Sequence, residues 1–528
     1  MASQTYDHSE FVSVRYYLGT HGCAESTARY RFYGMSGTPN LMFNGTHQIV
    51  GASAADAQGG QYMDVVQSRY YDAAPVRIVV DSFDPATGGV TATVTMYSTD
   101  YTLSDDFFHF ILIEDGVNTK DTHVTRAIIS DTISLEGAGN EAPFNASFTI
   151  DPDWNQANLR IIAIVQRQDK EIVQAGSSYD LPTSSVRAMV PFSRVKIGPS
   201  SGVDETENFT VMNLGQAGSF TISIVIDLAP PGWTVDFSDS DGVSHIGPLS
   251  FDLNSQESTT FKANVTPDSA GYIRYHFEVT SPTLNKNLEV PFVYITDDVD
   301  ALLVDDDGGN GYGQYFTAAL DDLGLSYGVW DLSSTKLSDD VASAMDLLIW
   351  NVGLGYPSLD ATDRVFVAEH LDAGKSLFIS GQDIGWDLVS GQSGNTDVAF
   401  YEGYLHADYI SDDVNRYDID GVTGDPVSHG LTLHIRGGDG ANNQDYPSRV
   451  ARVDNDGFEM FSYTGQDWGA GVRSVDSVSG AKVVYIAFGF EAIDNAADRS
   501  ALLSAVIDWL GPQLPGEGMS PETPPPSQ

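Results

Sequence analysis

The feature that most restricts the fold of this chain is a change in the spacing of apolar residues near position 298. Between residues 75 and 297, apolar and polar residues alternate in short segments such as 90–96 and 219–226, and Gly, Asp and Asn lie between them. This period of two predicts antiparallel strands. Beyond residue 298, apolar segments such as 301–304 alternate with amphipathic segments such as Gly313–Leu323, which predicts parallel strands joined by helices.

The length of 528 residues predicts three to five domains at about 100–200 residues each. The first unit is predicted to hold a strand over 11–18, a short helix over 24–33, a hairpin turned at Asn44–Gly45 and a closing helix over 61–71. The predicted fold class is therefore multidomain, and its parts are a partial α/β unit at 1–74, an antiparallel β-sandwich at 75–185, a second, immunoglobulin-like β-sandwich at 186–297, a doubly wound parallel α/β domain at 298–511 and a Pro-rich tail at 512–528.

The charge of the chain excludes one class of partner. It has 26 Lys and Arg against 73 Asp and Glu, a formal net charge of −47, and such a surface repels the phosphates of nucleic acid. No apolar run approaches the ~20 residues that span a membrane. The single cysteine, Cys23, allows no intramolecular disulfide and no cysteine-based zinc site. The acidity fits a salty or calcium-rich exterior, and solubility alone explains it equally well.

A segment of the first unit carries a resemblance to a known fold. Residues 33–45, Tyr-Gly-Met-Ser-Gly-Thr-Pro-Asn-Leu-Met-Phe-Asn-Gly, resemble the second half of the thioredoxin fold, in which a proline with a cis peptide bond opens the third strand. The resemblance implies a cis bond between Thr38 and Pro39. The family's redox pair precedes the strand that would begin at Phe11, so the resemblance implies a truncated unit without dithiol chemistry. Thiol–disulfide exchange, and a secretory signal, would need that missing segment.

Two further segments resemble parts of extracellular proteins. Residues 154–175 are similar to the end of the sandwich in secreted or outer-membrane-associated thioredoxin-like proteins. Residues 209–215, together with the Pro-Pro-Gly-Trp sequence that ends at Trp233, resemble immunoglobulin-like modules that space or present other domains of extracellular hydrolases. Both resemblances imply an extracellular or cell-surface location.

The order of elements in residues 298–511 resembles the class I glutamine amidotransferase-like fold. In that family a nucleophilic Cys lies on a tight turn between a strand and a helix, and a later His-x-Glu supplies the base and the carboxylate that orients it. Here Ser380 falls nearest the Cys position, Gly489 stands where the His belongs, and Glu491 stands where the Glu belongs. A serine without a base is a weak nucleophile, so the resemblance implies a non-catalytic relative. A relocated base would come from His406 or His429, the weaker candidates.

An acidic run suggests a second kind of site. Asp305, Asp306 and Asp307 follow the first predicted strand of the last domain, at the strand end where such sheets bind ligands. Their mutual repulsion would be relieved by a hard cation such as calcium, and Asp383 and the run 437–443 are expected at the same rim. The alternative is an acidic turn that caps a helix. No cofactor is certain, and calcium is the one candidate.

These observations predict a secreted or cell-surface protein with a role in binding, adhesion or structural display rather than catalysis. Its partners would be extracellular proteins or glycans, or further copies of the chain. The alternative is an extracellular hydrolase of the peptidase or amidase type, which would use Ser380 or a carboxylate or metal site near Asp305–Asp307.

Overall fold

The structure is a computed structural model that describes residues 11–19, 21–35, 40–50, 65–66, 74–98, 101–117, 122–180, 182, 184–190, 194–206, 208–284, 287–333 and 344–511. These residues are mostly strand, arranged in several antiparallel sheets and one mixed sheet. The coarse prediction of a multidomain, β-rich chain with antiparallel sheets is therefore confirmed.

The described residues of the N-terminal part include a helix and a hairpin. Its elements are α1 (Ala24–Phe32), β1 (Asn40–Phe43) and β2 (His47–Val50). The hairpin is antiparallel as predicted, and Asn44 and Gly45 both adopt positive φ at its turn. The predicted strand at 11–18 is wrong, because only Arg15 forms a bridge there, with Val124. The Thr38–Pro39 bond and most of the closing helix at 61–71 lie outside the described residues.

In the part of 75–185 that the structure describes, seven strands form the first sandwich. They are β3 (Val76–Phe83), β4 (Gly89–Met96), β5 (Thr102–Glu114), β6 (Val124–Glu136), β7 (Glu141–Ser147), β8 (Leu159–Gln166) and β9 (Ile172–Ser177). One sheet has the order β3-β4-β7 and the other β6-β5-β8-β9, and every pairing is antiparallel. Apolar side chains of alternate residues, such as Phe108, Phe110 and Leu112, fill the space between the two sheets.

The helix α1 is attached to this sandwich by a buried arginine. Arg29 is 9% exposed and donates to Gln166 Oε1 at 2.7 Å and to the Tyr33 hydroxyl at 3.0 Å. Its guanidinium also lies 3.5 Å from His109 Nε2. The same outer face of the β6-β5-β8-β9 sheet is covered by Val12 and other N-terminal residues. The N-terminal part is therefore packed against the first sandwich.

Eleven strands form the second sandwich among the described residues of 186–297. They are β10 (Val186–Met189), β11 (Val195–Gly198), β12 (Asp204–Glu205), β13 (Phe209–Asn213), β14 (Gly218–Leu228), β15 (Thr234–Ser238), β16 (Ser244–His245), β17 (Leu249–Leu253), β18 (Ser258–Thr266), β19 (Tyr272–Thr280) and β20 (Leu288–Thr296). One sheet has the order β10-β13-β18-β15-β16, with β12 on β18, and the other β11-β20-β19-β14-β17. Trp233 is 5% exposed and packs in the core between them, as expected.

The last part of the chain is built on a mixed sheet. Its elements are β21 (Ala301–Asp305), α2 (Gly313–Leu323), β22 (Tyr327–Asp331), β23 (Leu347–Gly353), α3 (Ala361–Asp372), β24 (Ser376–Gly381), α4 (Ile384–Val389), α5 (Val398–Tyr404), β25 (Ala407–Ser411), β26 (Asp418–Gly421), β27 (Thr432–His434), β28 (Arg449–Arg452), β29 (Gly457–Tyr463), β30 (Gly469–Val475), β31 (Lys482–Ile486) and α6 (Ala496–Leu510). The sheet order is β22-β21-β23-β24-β31-β30-β29-β26-β27, and β28 pairs with β25 and β30.

Five neighbouring strands of this sheet, in the order β22-β21-β23-β24-β31, are parallel. The strands from β25 to β30 pair antiparallel, so the prediction of a wholly parallel sheet is wrong for this half. Alternate residues of the parallel strands enter two apolar clusters. Leu302 lies in the cluster that contains Phe366 of α3, and Leu303 lies in the cluster that contains Phe316 of α2 and Leu502 of α6. Helices therefore pack on both faces of the parallel half.

Candidate functional site

The candidate site lies where the parallel strands end. Because β21, β23, β24 and β31 run in the same direction, the residues that follow them lie at one edge of the sheet, the edge at which open α/β sheets bind ligands. The residues that end or follow these strands include Asp305, Asn351, Ser380 and Glu491. Sequence reasoning had named all of these except Asn351.

The three consecutive aspartates accept hydrogen bonds from three different parts of the structure. Asp305 Oδ1 accepts a hydrogen bond from Asn351 Nδ2 at 2.7 Å. Asp306 Oδ2 accepts one from Trp350 Nε1 at 3.1 Å. Asp307 Oδ1 accepts the backbone N–H groups of residues 309 and 310, both at 2.8 Å. Successive side chains at the end of a strand point to opposite faces, so the three carboxylates do not converge.

The predicted metal site is not formed in this arrangement. Within the ranges that the structure describes, no group of three or more His, Cys, Asp or Glu side chains is placed to hold a metal ion. The fourth predicted ligand, Asp383, accepts from Gln382 Nε2 at 3.1 Å. Burial raises the pKa of Asp383 to about 6, and the carboxylate of Asp412 adds to the rise. Asp307 instead organises the turn that leads into α2, which is close to the alternative of an acidic turn.

Ser380 lies on β24, and its hydroxyl is used by the backbone. The residue is fully buried, and its Oγ accepts the N–H of Phe490 at 2.7 Å while donating to the carbonyl oxygen of Phe488 at 3.3 Å. These bonds tie the end of β24 to the segment that follows β31. A hydroxyl in this position holds two strand ends together, and neither of its bonds goes to a general base.

The position of the expected histidine is occupied by Gly489, which lies beside the carboxylate of Glu491. A Cβ on Gly489 would lie 2.1 Å from Glu491 Oε1, so a side chain here would displace that carboxylate. Gly489 donates its N–H to Gln444 Oε1 at 2.8 Å. The catalytic arrangement that the resemblance implies therefore lacks its base at this position.

Glu491 is fully buried and belongs to a polar cluster. Its Oε1 accepts from Asn443 Nδ2 at 2.7 Å, so the run 437–443 does reach this rim. Burial raises the pKa of Glu491 to about 7. Burial also raises the pKa of Asp305 to about 7, and the neighbouring Asp307 and Glu491 charges contribute. Strongly perturbed carboxyl groups in a strand-end cluster mark a candidate binding or acid–base site.

We call Asp305, Asn351, Glu491, Asn443 and Tyr312 the strand-end cluster. Tyr312 belongs to the cluster because Asn443 and the charge of Glu491 both act on the pKa of its phenol, which burial raises. Asn351 is fully buried at the end of β23. Asn351 could have been predicted from the sequence, because the Trp-Asn pair lies near the end of a predicted parallel strand, at the edge where such sheets bind ligands. We call this expectation the strand-end rule.

The two candidate histidines lie elsewhere. His406 is 4% exposed, its Nδ1 lies 2.8 Å from Asp454 Oδ2, and its Nε2 lies 3.8 Å from Asp476 Oδ2. His429 is exposed, and its Nδ1 accepts the N–H of Gly424 at 3.1 Å. These contacts occupy both histidines with local structural roles, and neither contact is with Ser380.

Comparison with known proteins adds little about function. No family model matches the chain, and no curated protein matches it. Among solved structures, a family 123 glycoside hydrolase from Clostridium perfringens is 8% identical over 27% of this chain and 33% of its own length, with a TM-score of 0.17. The CooA pilin subunit of enterotoxigenic Escherichia coli is 13% identical over 22% of this chain and 97% of its own, with a TM-score of 0.17. A CARDB domain from Pyrococcus furiosus is 19% identical over 22% and 96%, with a TM-score of 0.16.

TM-scores this low carry no argument for the fold or the function of this chain. The chain spans about a third of the length of the glycoside hydrolase that it matches. Within the described residues, no helix has the length and apolar character that crossing a membrane requires.

Proposed function

We propose that this chain is a secreted or cell-surface binding, adhesion or structural protein, and that residues 298–511 are a non-catalytic relative of the class I amidotransferase-like fold. The parallel strands with helices on both faces support the proposed doubly wound architecture of this part. The hairpin at β1 and β2 supports a thioredoxin-like origin for the first unit. The net charge of −47 supports an extracellular surface.

One observation carries the non-catalytic part of the proposal: the hydroxyl of Ser380 is fully buried and bonded to the backbone on both of its hydrogen-bonding sides. A serine nucleophile needs a free Oγ beside a base. The Ser380 Oγ accepts the Phe490 N–H at 2.7 Å and directs its proton to the Phe488 carbonyl, which is not a base. Gly489 supplies no base at the family's position.

Thiol–disulfide exchange also has little support. The Cys23 sulfur caps α1 by accepting the N–H of Ser26 at 3.3 Å, and the Ser26 hydroxyl lies 3.1 Å away from it. A single thiol with this capping role has no second thiol in the chain to form a catalytic pair.

Labelling with an activity-based fluorophosphonate tests the non-catalytic proposal. We expect the full chain to show no covalent adduct by intact mass, and Ser380→Ala to give the same spectrum. A stoichiometric adduct that disappears in Ser380→Ala would contradict the proposal. Immunodetection in fractionated native cells tests the location, because a purely cytosolic signal would contradict the surface assignment.

A second candidate function is a hydrolase that uses two carboxyl groups. The observation that favours it is the pKa near 7 of both Asp305 and Glu491, since acid–base residues work best with a pKa near the working pH. Assay of peptide, amide and glycoside substrates across pH 5–8 tests this candidate. Turnover that Asp305→Asn and Glu491→Gln each lower by at least 100-fold would favour it over the binding role.

A further inference from the structure

The strand-end cluster contains two buried acceptor atoms that lack donors. Asn351 Nδ2 is bonded to Asp305, but Asn351 Oδ1 is buried without a hydrogen-bond partner among the described residues. Glu491 Oε1 is bonded to Asn443, but Glu491 Oε2 is buried with no partner in the same part of the chain. An unpaired buried polar atom costs about 1–3 kcal/mol, so a donor supplied from outside would be favoured here.

The charges around the cluster select the kind of donor. The groups whose charges act on Asp305 include Asp307, Asp331 and Glu491, which are acids, and Asp305 also interacts with Asp306. Asp307 also acts on Glu491. A donor that carries a positive charge would pair with these carboxylates as well as with the free amide oxygen, and charge-assisted hydrogen bonds are about twice as strong as neutral ones.

An aromatic ring borders the same cluster. The Tyr312 phenol is near enough to Asn443 to be affected by it, and the ring lies against Gly353, where a Cβ would be 2.7 Å from Tyr312 Cδ2 and 2.9 Å from Asp307 Cβ. The absence of a side chain at Gly353 therefore allows the ring to lie next to the acidic turn. Because Tyr312 is only partly buried, its ring face offers a cation–π contact on the way into the cluster.

We propose that the strand-end cluster binds the terminal ammonium or guanidinium group of an organic cation, with Asn351 Oδ1 and the carboxylates of Asp305 and Glu491 as acceptors and Tyr312 at the entrance. This inference rests on the proposed function as a binding protein and names the ligand class of the same site. The cation has two possible sources, a small free amine or a lysine or arginine side chain of a partner protein.

Titration calorimetry of the full chain at pH 8 and 150 mM salt tests the inference. The probes are n-butylamine and agmatine, and n-butanol is the uncharged control. We expect saturable binding of one amine per chain and no binding of the alcohol. Since a chain of charge −47 attracts any cation, the salt is needed to screen non-specific attraction.

Single substitutions distinguish binding at the strand-end cluster from attraction by the net charge of the chain. Glu491→Gln and Asn351→Leu should each weaken amine binding by at least tenfold, and the exposed Glu459→Gln should change it by less than twofold. Tyr312→Ala, which changes a partly exposed side chain and so keeps the fold, should weaken binding at least fivefold. Absence of saturable binding, or an equal loss in Glu459→Gln and Tyr312→Ala, would overturn the inference.

Two further experiments identify the source of the cation and the protonation state of the carboxyl groups that bind it. The first compares n-butylamine with a capped peptide that contains one lysine. A protein partner is indicated if the peptide binds at least tenfold more tightly and loses this gain when its lysine is acetylated. Equal affinities would indicate a small amine. Affinity should rise at least fivefold from pH 6 to pH 8, because Asp305 and Glu491 ionise over this range beside Asp307, Asp331 and Tyr312. Affinity independent of pH would overturn the role of the two carboxyl groups. Fluorophosphonate labelling reports on the proposed function separately, so the two can fail independently.

Discussion

The substitution Ser380→Ala distinguishes a structural serine from a nucleophile. In the structure the Ser380 hydroxyl accepts the Phe490 N–H at 2.7 Å and donates to the Phe488 carbonyl at 3.3 Å, and the residue is fully buried. Alanine would leave a buried N–H without an acceptor, which costs about 1–3 kcal/mol. Because the longer bond contributes less, we expect a loss of about 2 kcal/mol in the free energy of unfolding of the last domain. A serine kept for catalysis would not be expected to stabilise the fold in this way.

Urea unfolding followed by tryptophan fluorescence measures this loss. Five of the seven tryptophans lie beyond residue 298, so the signal reports mainly on the last domain. With a slope of about 3 kcal/mol/M, a loss of 2 kcal/mol lowers the midpoint by about 0.7 M. The matched control is Ser411→Ala at an exposed position, which should stay within about 0.5 kcal/mol of the parent. A Ser380→Ala midpoint equal to that of the control would refute the structural role of this hydroxyl.

Three further predictions follow from the buried side chains. Trp233→Ala should lower the free energy of unfolding of the second sandwich by about 3–5 kcal/mol, measured by calorimetry, because it empties a core position. Burial, with Arg29 beside the ring, lowers the pKa of His109 to about 4. Between about pH 6.5 and 4 the unfolded chain therefore binds a proton that the folded chain does not, so the first sandwich should lose stability as pH falls through this range. The melting temperature of His109→Gln should change less between these two pH values than that of the parent chain. Asp305 and Glu491 give stability the opposite dependence on pH. Their folded pKa of about 7 keeps them protonated where the unfolded chain has already released these protons, near pH 4, so the last domain should lose stability as pH rises from 4 to 7. The double variant Asp305→Asn with Glu491→Gln should reduce this loss, measured by thermal melting at the two pH values.

The sequence predicted the elements whose apolar pattern is strong. The helix Gly313–Leu323 is found as predicted, because Phe316 and Leu320 recur at helical spacing and both are fully buried. The strands β25–β28 were missed because they have three to five residues each; β26 reads Asp-Ile-Asp-Gly and buries only Ile419. The longer strands β29 and β30 were missed as well. Such strands are stabilised by pairing with distant strands, and a local pattern does not contain that information.

The candidate site was predicted in position but not in chemistry. The strand-end rule placed Asp305 and the run 437–443 at one edge, and the resemblance to the amidotransferase-like fold named Glu491. The structure brings Asp305, Asn443 and Glu491 together. The rule could not show that Asp306 turns away toward Trp350, because that depends on the alternation of side chains at the last residues of the strand. The burial of Asn351 likewise depends on the packing of helices from distant parts of the chain.

The acids of this chain form two populations with different physical consequences. Asp84 and Asp239 lie in turns, where hydrogen bonds from the Thr87 hydroxyl and from His245, respectively, lower their pKa, so they stay charged at neutral pH. Asp306 and Glu491 lie at the strand edge, where burial raises the pKa of Asp306 well above its usual range and the pKa of Glu491 to about 7. The formal charge of −47 counts both populations as ionised and therefore overstates the charge at pH 7. Neutralising turn acids should change solubility and salt response alone, and neutralising the strand-edge acids should change cation binding and the pH dependence of stability.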